Sequence, residues 1–228
     1  MKMIRDIRLF KSAVENVDGN PLPDSIVFQE RATYAVLKRI VMKLRENGFC
    51  LGDFDHLYIN FTSCLVENGM AIAKRKVDTY HSWYRYCDVY VEESLLAQLH
   101  LPNKMDVVLE LIKTVLVRLF ATESFDEQCI NSCVSAAMSE GEAMLMQYKE
   151  KATANRKAII YLRCLDDGYF WPLLRVVDHN GQTLFETDLP KTWDLMALGQ
   201  VQVSLHRVVV KPKKNSLATR LPPVSFEY

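Results

Sequence analysis

Two helical stretches in the middle of the chain, with strand-like alternation on both sides of them, constrain the fold more than any other feature. Asn103-Lys104-Met105-Asp106 resembles a helix start. After it, Met105, Val108, Leu109, Ile112, Leu116, Leu119 and Phe120 repeat at helical spacing, while Val107, Leu111 and Val115 give that helix a second apolar face. Ser124-Phe125-Asp126-Glu127 reads as a capping box opening a second helix that runs to about Lys151. Strands, then helices, then strands argue for an α+β fold in which an antiparallel sheet is covered by helices, with strands at both ends of the chain and a central helical pair. The whole of 1–228 reads as one domain, with 151–156 as the place where a subdivision would fall.

Before that pair, a helix is expected from Asp24 or Ser25 to Gly48. It buries Val36, Leu37, Ile40, Val41 and Leu44, with Lys38, Arg39, Lys43 and Arg45 facing out. Phe54 to Leu65 alternates as a strand, and Asn68-Gly69 signals a hairpin to a partner strand at 70–77. After the helices, residues 158–162 form a strand core and Asp166-Asp167-Gly168 a turn. A hairpin of type I′ is expected at Asn180-Gly181, and a last strand from Val201 to Val210.

A 49% hydrophobic, 25% charged composition excludes wholesale disorder. Lys+Arg and Asp+Glu are equal at 28 each, which gives no electrostatic reason to expect nucleic acid or membrane as partner. The charged start of the chain is no signal-peptide core, and Glu110, Lys113 and Arg118 interrupt the best apolar run, so a cytoplasmic protein without membrane association is expected. The six cysteines lack the density of a disulfide scaffold and read as buried free thiols. No Walker loop, G-x-G-x-x-G, G-x-S-x-G, H-E-x-x-H or C-x-x-C is present, and no cofactor or metal is indicated.

The stretch Asp78-Thr79-Tyr80-His81-Ser82-Trp83-Tyr84-Arg85-Tyr86-Cys87-Asp88-Val89-Tyr90 gathers a tryptophan, four tyrosines, a histidine and an arginine without glycine or proline. Aromatic side chains with polar tips beside arginine are what protein interfaces favour, although a tyrosine-rich core strand uses the same residues. The candidate contact residues are Tyr80, Trp83, Tyr84, Arg85 and Tyr86. Glu140 and Glu142 of the acidic second helix are secondary, electrostatic candidates for a basic partner. The alternative is an enzyme with an unrecognised site around His81, Asp78 and Cys87. A weaker reading makes the basic tail (Arg207, Lys211, Lys213, Lys214, Arg220) a phosphate contact, but it lacks interleaved aromatics, so nucleic acid is not the expected partner.

Tyr58-Ile59-Asn60-Phe61-Thr62, followed by Val77-Asp78-Thr79-Tyr80-His81-Ser82-Trp83-Tyr84-Arg85-Tyr86, resembles bacterial immunity proteins of polymorphic toxin systems, over roughly 56–92. That resemblance implies a cytoplasmic, non-enzymatic α+β protein that neutralises a cognate toxin domain by binding it. It assigns no toxin-contacting residue.

Overall fold

The computed structural model describes residues 1–14, 23–28, 30–73, 82–214 and 222–228. The fold is α+β, with strands at both ends of the chain and the helical pair between them. Two compact units divide the chain, Met1–Ser139 and Glu140–Tyr228.

In the first unit, β1 (Lys2–Met3) is followed by β2 (Asp6–Ser12), β3 (Asp24–Ser25), α1 (Arg31–Glu46), β4 (Cys50–Gly52), β5 (His56–Thr62), β6 (Met70–Ile72) and β7 (Tyr84–Tyr90). Then come α2 (Glu93–Leu96), α3 (Met105–Phe120) and α4 (Glu127–Glu140). Five strands make one sheet in the order β3-β2-β5-β7-β6, and β1 pairs with β4 separately. The central strands β2, β5 and β7 run parallel, in register Asp6↔His56 and His56↔Tyr84. The antiparallel pairing expected throughout is confined here to the edges, β3 on β2 and β6 on β7.

That arrangement follows from where β5 sits. Side chains alternate across a strand, and β5 is covered on both faces: Leu57, Ile59 and Phe61 are buried on one, Tyr58, Asn60 and Thr62 on the other. Both of its edges are taken by parallel neighbours. The Asn68-Gly69 turn does form, with left-handed φ of 53° and 77°. The strand it feeds, however, finds no free edge on β5 and pairs with β7 instead, Met70 opposite Val89. Residues 74–77 of the expected partner strand lie outside the described residues.

Helix α1 starts at Arg31 rather than near Asp24, because Ile26 and Phe28 are drawn into the core first. Tyr34 Oη fastens that lead-in, donating to the Ile26 carbonyl at 2.7 Å and accepting from the Phe28 amide at 3.1 Å. The helix closes with the Phe49 amide on the Leu44 carbonyl (2.9 Å) and the Gly48 amide on the Arg45 carbonyl (3.0 Å), Gly48 taking φ +83°. Arg39 does not face out as its stripe suggests; it is only 4% exposed. Cys133 of α4 lies close enough to Lys43 and Glu46 to feel their charges.

Helix α4 begins two residues later than the expected box. Asp126, not Ser124, is its cap, with Oδ1 accepting the Cys129 amide at 2.9 Å. It ends at Glu140 instead of continuing to Lys151. Gly141 takes φ +53°, and the segment 146–152, rich in helix-forming residues, is a strand because it pairs with the strand Arg156–Cys164 along its length, with one register shift between Gln147 and Lys149.

In the second unit, β8 (Met146–Ala152), β9 (Arg156–Cys164), β10 (Phe170–Asp178) and β11 (Thr183–Asp188) form an antiparallel meander. The strands β12 (Leu198–Val203), β13 (Arg207–Pro212) and β14 (Val224–Glu227) form a second antiparallel sheet. Ala158, Ile160, Leu162, Phe170, Leu174, Val176, Val201, Val208 and Val210 are its core. The β10–β11 hairpin turns at His179-Asn180, but only Gly181 is left-handed (φ +83°). The Gly181 amide meets the Asp178 carbonyl at 3.1 Å, so the turn is a right-handed one followed by a left-handed glycine rather than type I′. The expected last strand is broken at Ser204, where the chain reverses and β12 pairs with β13, because one face of each half must cover the same core.

Gly199 marks a close backbone approach in that sheet, since a Cβ there would meet the Pro212 carbonyl oxygen at 2.5 Å. Gly199→Ala is therefore expected to destabilise the protein by about 1–3 kcal/mol, through strain on a backbone that cannot swing aside. Urea denaturation followed by circular dichroism measures this, and a midpoint equal to wild type would show that the strand gap opens freely.

Candidate functional site

The aromatic stretch enters the sheet as β7, and its register decides which side chain does what. Tyr84, Tyr86, Asp88 and Tyr90 share a face with Arg8 and Phe10 of β2 and with Tyr58, Asn60 and Thr62 of β5. Arg85, Cys87 and Val89 point to the opposite face, where Cys87 and Val89 join the core.

On the aromatic face, Tyr58 stacks on Tyr84, ring centroids 4.6 Å apart and 13° from parallel. Tyr86 meets Tyr58, Phe10 and Tyr84 edge-on at 5.4, 5.3 and 5.7 Å. The Arg8 guanidinium lies 5.3 Å from the Tyr58 ring centroid, held by Asp6 at 2.7 Å. Burial raises the Tyr58 hydroxyl above its ordinary pKa, with Arg8 pulling the other way.

At the start of β7 the cluster reaches the surface. Trp83 is 38% exposed and meets Tyr84 edge-on at 6.4 Å. Its carbonyl accepts both the Asp55 amide (2.9 Å) and the His56 amide (3.0 Å). Arg85 donates to Asp53 Oδ2 at 2.8 Å and to the Tyr84 carbonyl at 2.8 Å, with its guanidinium 5.6 Å from the centroid of Phe54. The opening turn of β5 and the opening residues of β7 are thereby joined into one edge bearing a tryptophan, a tyrosine and a fixed arginine.

Sequence reading missed one part of this edge. Asp55 Oδ1 lies 2.5 Å from His56 Nδ1, and Arg5 approaches the same carboxylate at 3.6 Å. The adjacent Asp55-His56 pair carries no spacing motif, and only the strand register sets it beside Tyr84.

Of the residues singled out from sequence, Trp83, Tyr84, Arg85 and Tyr86 come together. They divide into an exposed or half-buried group, Trp83, Tyr84 and Arg85, and a buried one, Tyr86, which is 4% exposed. Glu140 and Glu142 are exposed members of the second unit, where Glu142 Oε1 accepts the Asp166 amide at 2.6 Å. Asp78, Tyr80, His81 and Arg220 lie outside the described residues. Deeper on the aromatic face, Asn60 Nδ2 donates to Asp88 Oδ1 at 2.8 Å, a buried polar pair in the middle of the sheet.

Cys87 is a poor nucleophile in this setting. Burial, with the nearby Asp88 charge, pushes its thiol up to about 12. Among the described residues no group of three or more His, Cys, Asp or Glu side chains converges as metal ligands would, and no helix is long and apolar enough to cross a membrane.

No protein-family model matches the chain, and no curated protein or solved structure matches it either.

Two measurements check this division of labour. Tyr86→Ala is expected to cost about 3–5 kcal/mol, as removal of a core aromatic does. Trp83→Ala is expected to cost about 1 kcal/mol or less. Thermal melts of the two variants compare them, and equal losses would place Trp83 in the core. In the native protein at about pH 8, iodoacetamide should label exposed Cys129 and leave Cys87 unmodified until urea is added. Peptide mass spectrometry reads this directly, and rapid native labelling of Cys87 would refute its burial.

Proposed function

We propose that the protein is a non-enzymatic protein-binding module that acts in the cytoplasm as an immunity protein, occluding a cognate toxin domain by direct contact. The observation that carries this reading is the joined edge at Trp83. An exposed indole, a stacked tyrosine and an arginine already tied to Asp53 are held on one rigid strand start. Tryptophan, tyrosine and arginine supply most of the binding energy where interfaces have been dissected. Groups ordered before association lose little freedom when a partner arrives. The resemblance over 56–92 supports the toxin domain as that partner. The raised Cys87 thiol speaks against the rival site built on that cysteine.

Affinity capture of the tagged protein from its native lysate, followed by calorimetric titration of the purified partner, tests this. Trp83→Ala and Arg85→Ala are expected to weaken binding by about tenfold or more, as hot-spot truncations do, while their melting curves stay close to wild type. Full affinity in both variants would remove this edge from the interface. Steady-state turnover of a substrate by the purified protein would overturn the non-enzymatic reading.

A further inference from the structure

The second unit contains a cation site that the chain itself occupies. The Phe170↔Thr192 bridge brings the segment after β11 alongside the start of β10, with Phe170 and Thr192 exchanging backbone hydrogen bonds at 2.7 and 2.8 Å. Thr192 is buried, whereas its neighbours Lys191 and Trp193 are exposed. The Lys191 ammonium stands 4.3 Å from the Tyr169 ring centroid and 5.1 Å from that of Trp171. It lies 3.2 Å from Asp167 Oδ2.

The walls are built independently of that lysine. Asp167 Oδ1 accepts the Tyr169 amide at 2.9 Å, and both carboxylate oxygens accept Trp171 Nε1 at 3.2 Å. The turn that presents Asp167 closes through Gly168, whose φ of +78° suits glycine. Although burial works against it, the Tyr169 amide, the indole and the ammonium together hold the Asp167 carboxyl below its ordinary pKa. Two aromatic faces and a fixed anion are the recognition chemistry for an alkylated ammonium.

We propose that Tyr169, Trp171 and Asp167 form a binding site for a methylated ammonium group, and that Lys191 is its internal occupant, displaced when such a ligand arrives. A primary ammonium is strongly hydrated and gives up much of that hydration to sit against rings. A methylated cation has less hydration to lose and covers both ring faces at once. Lys191 remains within reach of solvent, its side chain 44% exposed, so it can swing away without disturbing the core. Trp193, two residues further along the chain, is 62% exposed. The site belongs to the second unit, and it stands or falls separately from the Trp83 edge.

The experiment titrates the full, isotope-labelled chain with tetramethylammonium chloride and follows the three tryptophan indole N–H signals, with sodium chloride as the control. Trp171→Phe and Trp193→Phe assign the signals. The Trp171 signal is expected to shift saturably with tetramethylammonium and not with sodium. Lys191→Ala should tighten binding by about two- to fivefold, the factor that a surface cation–π contact of this kind corresponds to, and Asp167→Asn should weaken it by a similar factor. Dispersed amide spectra establish that each variant is folded. Choline and Nε-trimethyllysine then distinguish the sources: tighter binding of the first assigns a small-molecule headgroup, tighter binding of the second a modified side chain. A shift equal to that in sodium chloride, a shift without saturation, or an affinity unchanged by Lys191→Ala overturns the proposal and leaves Lys191 as a brace for the loop.

Discussion

Parallel pairing of β5 with β2 on one side and β7 on the other is the constraint on which the first unit depends. It places His56 beside both Asp6 and Tyr84 and thereby sets every cross-strand neighbour on both faces. One face closes over Leu57, Ile59, Phe61, Cys87 and Val89. The other carries the tyrosine cluster and the buried Asn60–Asp88 hydrogen bond. A slip of one residue between β5 and β7 would send Arg85 into the aromatic cluster and Tyr86 to the opposite face, so the register is strongly specified.

Much of this was legible in the chain. The α+β order, the central helical pair, the Gly48 stop and the turns at Gly168 and Gly181 all follow from local pattern, because caps and turns are decided by neighbouring residues. Helix α3 was legible for the same reason, with its apolar repeat from Met105 to Phe120. What escaped was decided at long range. The stretch 146–152 is rich in helix formers, yet it pairs with β9, and only the partner strand settles that contest. Asn68-Gly69 made its left-handed turn, but where the following strand would dock depended on β7, which comes later in the chain.

The candidate site divides along the same line. Residue types alone marked Trp83, Tyr84 and Arg85 as interface-forming. They also marked Tyr86, which shares the face of Tyr84 but lies two residues deeper in the sheet and is buried, and composition carries no information about depth. Asp55 and His56 left no trace because their meaning comes from the Trp83 carbonyl that receives both amides. The Lys191 cage was invisible for a similar reason, since Asp166-Asp167-Gly168 reads as a turn until the bridge at Thr192 brings the lysine across.

Among the described residues, the strands on the two edges of the first sheet, β3 and β6, are two and three residues long. Strands that short present few backbone N–H and C=O groups to template an incoming strand on this sheet. This restricts how a partner can be recognised. Strand addition, which draws affinity from main-chain hydrogen bonds and tolerates many sequences, has little to hold here. Recognition through side chains instead would rest specificity on a few positions, at which single substitutions exchange one partner for another while the register beneath them stays the same.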